Sequence, residues 1–354
     1  MKALRPLAGV RVLFASLREP AYVRNQVLLR ALRDAGADVT VVSSSSGNYA
    51  VRVAQTLWRI VSRPGRLRRN DLLFAGFLGQ PVAIVMRWVS SKPIVFDHFV
   101  SIHDTLCRDR RRVRPDGWLG QRLLDVDRRA HAAATVVLTD TPAHLRHLQD
   151  LVAVQRPFHA VPVGTDEHVF APRAVAEEPR TVFYYSSSLP LHGLATVLAA
   201  ARLVRPDGIR FRIAGSTPTA ETPDNVDWLG WQPVESLADE ARRAALCLAG
   251  HFAVNAKGQR VVPGKAYQFL CLGRPVVLGR GPGNDAYFRD GWDAYFCEPG
   301  SPTDLARVIR HALADPGRAQ VARRGRRTYE RIASAPVLAA QVGALLAPYA
   351  HHGG

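Results

Sequence analysis

Residues 10–43 read VRVLFASLREPAYVRNQVLLRALRDAGADVTVVS. The stretch opens on a short apolar run at 10–15 and passes through a polar loop. Apolar residues then recur at helical spacing over 27–35, Gly36 interrupts them, and a second apolar run follows at 38–43. Strand, loop, helix, strand is the opening of a Rossmann-type half, since parallel neighbours need a helical crossover. Further strands are predicted at 71–75, 93–97, 135–139 and 158–163, with helical segments between them.

The segment 171–180, APRAVAEEPR, has no periodicity and reads as a linker. Beyond it the alternation restarts. Strands are expected at 181–185, 209–214, 226–229, 246–249, 275–278 and 294–297. Helices are expected at 193–204, 235–245 and 264–272, and from 302 onward. A chain of 354 residues exceeds what one core usually serves. The expected organisation is therefore an α/β fold of two domains, 1–170 and 171–334, with a helix at 335–350 packing back on the first.

Composition narrows the function. Hydrophobic residues make up 47% and charged residues 22%, as in a globular protein. No run approaches about 18 uninterrupted apolar residues and the N-terminus lacks a signal-peptide pattern, so a cytoplasmic setting is expected. Cys107, Cys247, Cys271 and Cys297 lie far apart without CxxC or ligand-spaced His, which argues for buried thiols. The net charge is +17, and residues 1–170 hold 25 Lys and Arg against 14 Asp and Glu. Two readings of this excess stand: a solvated basic surface, or an anionic partner such as phospholipid or a phosphorylated substrate. No nucleic-acid motif or stacking platform accompanies it, so no nucleic-acid partner is expected.

Three segments carry a resemblance. VPVGTDEHVFAP (161–172), LPLHGLATVLAAA (189–201) and VVPGKAYQFLCLGRPVV (261–277) resemble, in order and spacing, blocks of the family-4-type GT-B glycosyltransferases. YVRNQVLLRALRDAG (22–36), VFDHFVSIHDT (95–105) and LTDTPAHL (138–145) resemble a bacterial branch of that group with a PLHG motif. The resemblance implies a GT-B fold, two Rossmann-like domains facing each other across a cleft. It also implies a retaining transfer of sugar from a nucleotide-diphospho-sugar to a hydroxyl acceptor, a glycan, glycolipid or secondary metabolite. The second domain would bind the donor and the first the acceptor.

A nucleotide-diphospho-sugar needs N–H groups at helix N-termini, cations, and partners for ribose hydroxyls. His192 and Gly193 open a helix, with His192 where many relatives carry Lys. Lys265 follows Pro263-Gly264 at a predicted helix start, and its family counterpart neutralises the leaving diphosphate. Arg260 is a second candidate cation if the 257–264 loop folds over the donor. Gln268 replaces the family's Glu and keeps one carbonyl acceptor. Gly215 ends a strand at the carboxyl edge of its sheet. Trp231 is read either as lying near the base or as a core residue. Each cation has a solvated surface charge as its alternative, and His192 a place beside a helix cap.

On the acceptor side, Asp97, His98, Ser101, His103 and Asp104 cluster after the strand at 93–97. His98 and Asp97 are expected to hydrogen-bond the sugar or acceptor, ahead of His103 and Asp104, with helix capping as the alternative. Arg24 and Asn25 are expected to contact acceptor or diphosphate, with Glu19 and Asp166 as weaker choices. No DxD motif is evident and the resemblance calls for none, so no metal or other cofactor is expected. A nucleotide-sugar epimerase, a phosphorylase and an inactive nucleotide-sugar-binding protein are the competing readings.

Residues 51–69, VRVAQTLWRIVSRPGRLRR, form a basic amphipathic pattern with Val53, Ala54, Leu57, Trp58 and Val61 on one face. That stripe is expected to pack on the first sheet. Peripheral contact with an anionic membrane is the alternative.

Overall fold

The computed structural model describes residues 5–187, 189–215, 218 and 222–350. The chain divides into two compact units. The first runs to Val163 and takes up the chain again from Ala335; the second is Gly164–Ser334. The division thus falls at 163/164 rather than after residue 170.

In the first unit, β1 (Arg11–Ala15), α1 (Val23–Asp34), β2 (Asp38–Val42), α2 (Tyr49–Val61), α3 (Pro64–Arg68), β3 (Leu72–Ala75), α4 (Gln80–Val89) and β4 (Ile94–Asp97) follow in order. A π-helical turn, Asp104–Asp109, precedes α5 (Trp118–Ala133), β5 (Val136–Thr139), α6 (Pro142–Val152) and β6 (Phe158–Ala160). All strands pair in parallel, in the order β2-β1-β3-β4-β5-β6. Phe14 and Phe74 pack with Leu28 and Leu32 of α1 on one face, while Leu13, Leu73 and Phe96 pack with Ile60, Val82 and Met86 on the other. Both faces are covered, which is why these strands read as continuous apolar runs. The strand expected at 158–163 stops at Ala160.

The second unit comprises β7 (Glu178–Tyr185), α7 (Leu194–Val204), β8 (Arg210–Ala214), β9 (Val226–Gly230), α8 (Val234–Arg243), β10 (Ala244–Gly250), α9 (Ala256–Arg260) and α10 (Gly264–Cys271). It continues through β11 (Val276–Gly279), α11 (Pro282–Asp285), β12 (Tyr295–Cys297), α12 (Pro302–Ala314) and α13 (Arg318–Ile332). Its parallel sheet has the order β12-β11-β10-β7-β8-β9. Counted from β7, this is the 3-2-1-4-5-6 arrangement of dinucleotide-binding folds. Val182, Tyr184, Phe211, Ile213 and Leu248 form its core with α7 and α12.

The last helix, α14 (Ala335–Ala350), packs on α1, burying Leu338, Val342 and Leu346 in the first core. The helical stretch Arg318–Ala350 is long and apolar enough by length and composition to cross a membrane. Its apolar part is α14, which spans only about 24 Å and carries these core residues.

Two expectations are corrected here. Helix α2 buries Arg52, Thr56 and Ile60 and half-buries Val53 and Leu57, leaving Ala54, Trp58 and Val61 outside. Arg52 takes the inward face because its guanidinium donates to Ser46 O and pairs with Glu19 at 2.5 Å. Trp231 is 80% exposed and is no core residue.

Candidate functional site

In doubly wound sheets a ligand crevice forms at the carboxyl ends of the two strands where the winding reverses. In the second unit those strands are β7 and β10. The loop after β7 carries Ser186 and His192, and the loop after β10 begins with His251. His192 Nδ1 lies 2.9 Å from Ser186 Oγ, and its ring stacks on His251 with centroids 5.8 Å apart. Tyr184 Oη donates to His192 O at 3.1 Å, fixing the turn from beneath.

Gly193 then starts α7 with φ +71°, and a Cβ there would lie 2.5 Å from the Ala253 nitrogen. The close approach that the glycine permits is therefore to the loop after β10. Gly279, at the end of β11, has the same role: a Cβ would stand 2.0 Å from His251 O. These contacts bring the first turn of α7 beside the loop after β10.

Lys265 lies in the first turn of α10, buried. Its Nζ donates to Tyr185 O at 3.0 Å and stands 4.9 and 5.3 Å from the centroids of the Tyr184 and Tyr185 rings. Burial pushes its ammonium down to about 7, leaving it near the point of losing its proton. Burial also pushes His192 down to about 2, reinforced by Lys265 and His251, so that imidazole is neutral. Gln268, one turn along α10, accepts a hydrogen bond from Tyr185 Oη with its Oε1. Gly215 follows β8 with φ +83° and packs on Ser186 O. Arg260 ends the short helix α9, which is capped by Asn255, so the segment 257–264 is partly helical rather than a loop.

The first unit gathers its polar residues differently. Arg24 and Asp97 are both fully buried. Arg24 Nη2 meets Asp97 Oδ1 at 2.7 Å, its Nε reaches both carboxylate oxygens at 3.2 Å, and Nη1 donates to Val161 O at 2.7 Å. The pair ties α1 to β4 and to the segment after β6. Asn25 is also buried, donating to Ser16 Oγ, Arg18 O and Glu19 O and accepting from Phe77 N. It ties together the loops after β1 and β3, where this sheet reverses. The polar atoms of Arg24, Asn25 and Asp97, the residues expected to contact a ligand, are engaged with one another, with Ser16 and with the backbone inside the unit.

His98, Ser101 and His103 surround Asp127 of α5, which the sequence reading missed. Asp127 accepts from Ser101 Oγ at 2.7 Å, His103 N at 3.1 Å and Gln80 Nε2 at 3.0 Å. His98 Nε2 lies 3.4 Å from it. Burial alone would raise this carboxyl, but the His98, Ser101 and His103 contacts outweigh burial and hold it below the usual range. His98 Nδ1 lies 2.6 Å from His131 Nε2, and burial followed by the His98 charge pushes His131 down to about 2. His98 thus holds both neighbours at once, Nδ1 toward His131 and Nε2 toward Asp127. Both nitrogens of this residue, expected to meet the sugar or acceptor, face the interior. Asp104 N donates to Ser101 Oγ at 2.9 Å, and its carboxylate lies 3.4 Å from His147.

Both sheets thus carry their polar residues at carboxyl edges, and in the second unit these surround a buried cation at a nucleotide-fold switch point. Residues 195–346 match the family described as glycosyl transferase-like. The chain is similar in structure to Anabaena Alr3699/HepE in complex with UDP and glucose, at 15% identity, covering 96% of this chain and 100% of that one, with a TM-score of 0.70. It is similar to sucrose-phosphate synthase from Thermosynechococcus elongatus at 16% identity, covering 95% and 98%, with a TM-score of 0.72. A glycosyltransferase from Rickettsia africae ESF-5 is similar at 8% identity, covering 97% and 99%, with a TM-score of 0.68. Among curated proteins none matches in sequence. The chain has the GT-B fold, two Rossmann-like α/β units.

Proposed function

We propose that the chain is a retaining, family-4-type glycosyltransferase that moves a sugar from a nucleotide-diphospho-sugar to a hydroxyl acceptor. The second unit, 164–334, holds the donor and the first supplies the acceptor side. One observation carries the reading: the β7/β10 switch point gathers the first turn of α7, neutral His192 and buried Lys265. Lys265 and the α7 N-terminus face the diphosphate, His192 donates without adding charge, and Gly215 borders the site. Arg260 is a second cation from α9. Gln268 meets the ribose together with Tyr185.

In the reaction the acceptor oxygen attacks the anomeric carbon as its bond to phosphate oxygen breaks. The departing diphosphate takes the acceptor proton from the same face, and Lys265 offsets the charge that develops on it. His103 and Asp104 stand on the acceptor side, held by the Asp127 network. The reaction needs no metal. The setting is cytoplasmic, with peripheral contact between the first unit and the anionic inner face of the membrane.

Thermal-shift titration with UDP-, GDP-, dTDP- and ADP-sugars tests the donor reading, since selective binding stabilises by mass action. A UDP-sugar is the first choice, given the UDP-bound Anabaena structure. No shift with any of the four would overturn the proposal. Binding without transfer in product analysis would reassign the chain as a binding protein, and rearrangement of the sugar without an acceptor as an epimerase. EDTA should leave the rate unchanged.

A further inference from the structure

The same end of the first sheet that starts β1 and β2 carries a pocket of about 630 Å³. Arg63, Arg66 and Arg69 line it from α3 and its flanks, with Arg11 and Thr40 from the strands. The three α3 guanidinium groups make no hydrogen bond or ion pair among the described residues. The acid among the lining residues is Asp38, while Arg11 pairs outward with Asp71 at 3.5 Å. Beside the pocket, α2 turns Val51, Ala54, Trp58 and Val61 to solvent, a stripe at helical spacing, with Trp58 70% exposed. Helix α4 packs against α2 over the same face of the sheet and carries Trp88, 77% exposed, in its last turn.

We propose that this face docks on an anionic lipid bilayer, the arginine pocket taking a headgroup phosphate while Trp58, Val61 and Trp88 enter the interface. Charge complementarity selects the occupant: clustered guanidiniums without partners require an anion, and an apolar, Trp-bearing stripe beside them requires a surface with hydrocarbon behind it. A soluble nucleotide or phosphate satisfies the first requirement and leaves the second unmet. The inference rests on the peripheral membrane contact proposed above, and gives that contact its site. It is independent of sugar transfer, because the pocket lies at the opposite end of the sheet from the Asp127 network, which follows the carboxyl end of β4.

Co-sedimentation of the full chain with phosphatidylglycerol and phosphatidylcholine vesicles tests it, with nucleoside diphosphate thermal shift and transfer rate measured alongside. The wild type should pellet with anionic vesicles only, and less as salt rises. Replacing Arg63, Arg66 and Arg69 by Gln should weaken vesicle binding roughly a hundredfold, about fivefold per arginine. Trp58→Ser should weaken it without changing the salt dependence. Both variants should keep the nucleotide shift, showing intact folding. Wild type that stays in the supernatant with either lipid overturns the docking face. Triple-variant binding equal to wild type overturns the pocket. Inorganic phosphate should release the wild type from anionic vesicles more than chloride of equal ionic strength does, and release no greater than that by chloride overturns the headgroup role. Loss of nucleotide shift or transfer with vesicle binding intact would count against the glycosyltransferase reading alone.

Discussion

Lys265 is a cation in an environment that disfavours charge, and its protonation therefore couples folding to ligand. Its ordinary value of 10.5 falls to about 7 in the folded chain. Between those pH values the unfolded chain holds a proton that the folded chain lacks, so unfolding free energy rises with pH across that window. Below about 7 the cost of the buried ammonium is present in full. Thermal melts of wild type against Lys265→Met should show the wild type gaining relative stability from pH 7 to 10. A diphosphate reverses the preference by stabilising the ammonium. Nucleoside diphosphate affinity should be flat below about pH 7 and fall about tenfold per unit above it, measurable by calorimetry, with proton uptake on binding. Lys265→Ala should lower turnover about a hundred- to a thousandfold while the fold is kept. A folded variant of unchanged turnover would rule out the proposed role. Of the residues around Lys265, His192, Gly193 and Gln268 were legible from local motif order. Ser186, His251 and Tyr185 were not, because what brings them there is strand order. Asp127 was hidden for a similar reason: nothing in RLLDVDRRA separates it from Asp125, and only the turn of α5 decides which carboxylate faces inward.

Among the elements, α14 shows how much one helix holds. Leu346 is fully buried in the first core, and truncating it leaves a cavity between α14 and α1. Leu346→Ala should destabilise the first unit by about 2–5 kcal/mol, read as a lower midpoint in urea. The strands were the most legible elements, since parallel strands covered on both faces are uninterrupted apolar runs. Helix α2 was the least. Its apolar residues occupy more than half its circumference, and the inward face is decided by where Arg52 finds Ser46 O and Glu19, partners that periodicity does not reveal. The linker-like 171–180 draws attention away from Gly164–Phe170. That segment belongs with the second unit, where Glu167 accepts from Tyr329 Oη and Val169 O accepts from Arg242.

Taken whole, the molecule consists of two units with separate cores, each of a size that unfolds cooperatively on its own. A ligand confined to one unit should stabilise that unit alone. Saturating nucleoside diphosphate should move the transition assigned to 164–334 upward, by about 2.7 kcal/mol at a hundredfold excess over Kd, and leave the other in place. Calorimetry checks this, and an equal rise of both transitions would contradict a donor site built from the second unit alone.

The return of the chain at Ala335 also sets a schedule. α1 leaves the ribosome well before Leu338, Val342 and Leu346, which share its core, are made. At about 5–20 residues per second, translation of everything between takes on the order of 15–60 s. During that interval the first-made segment waits with an apolar surface open to chaperones, while the second unit can close as soon as its own residues emerge. What is synthesised first is sealed last, so a message that ends prematurely after Ser334 yields a nascent chain whose later half is whole and whose earlier half is exposed to proteolysis.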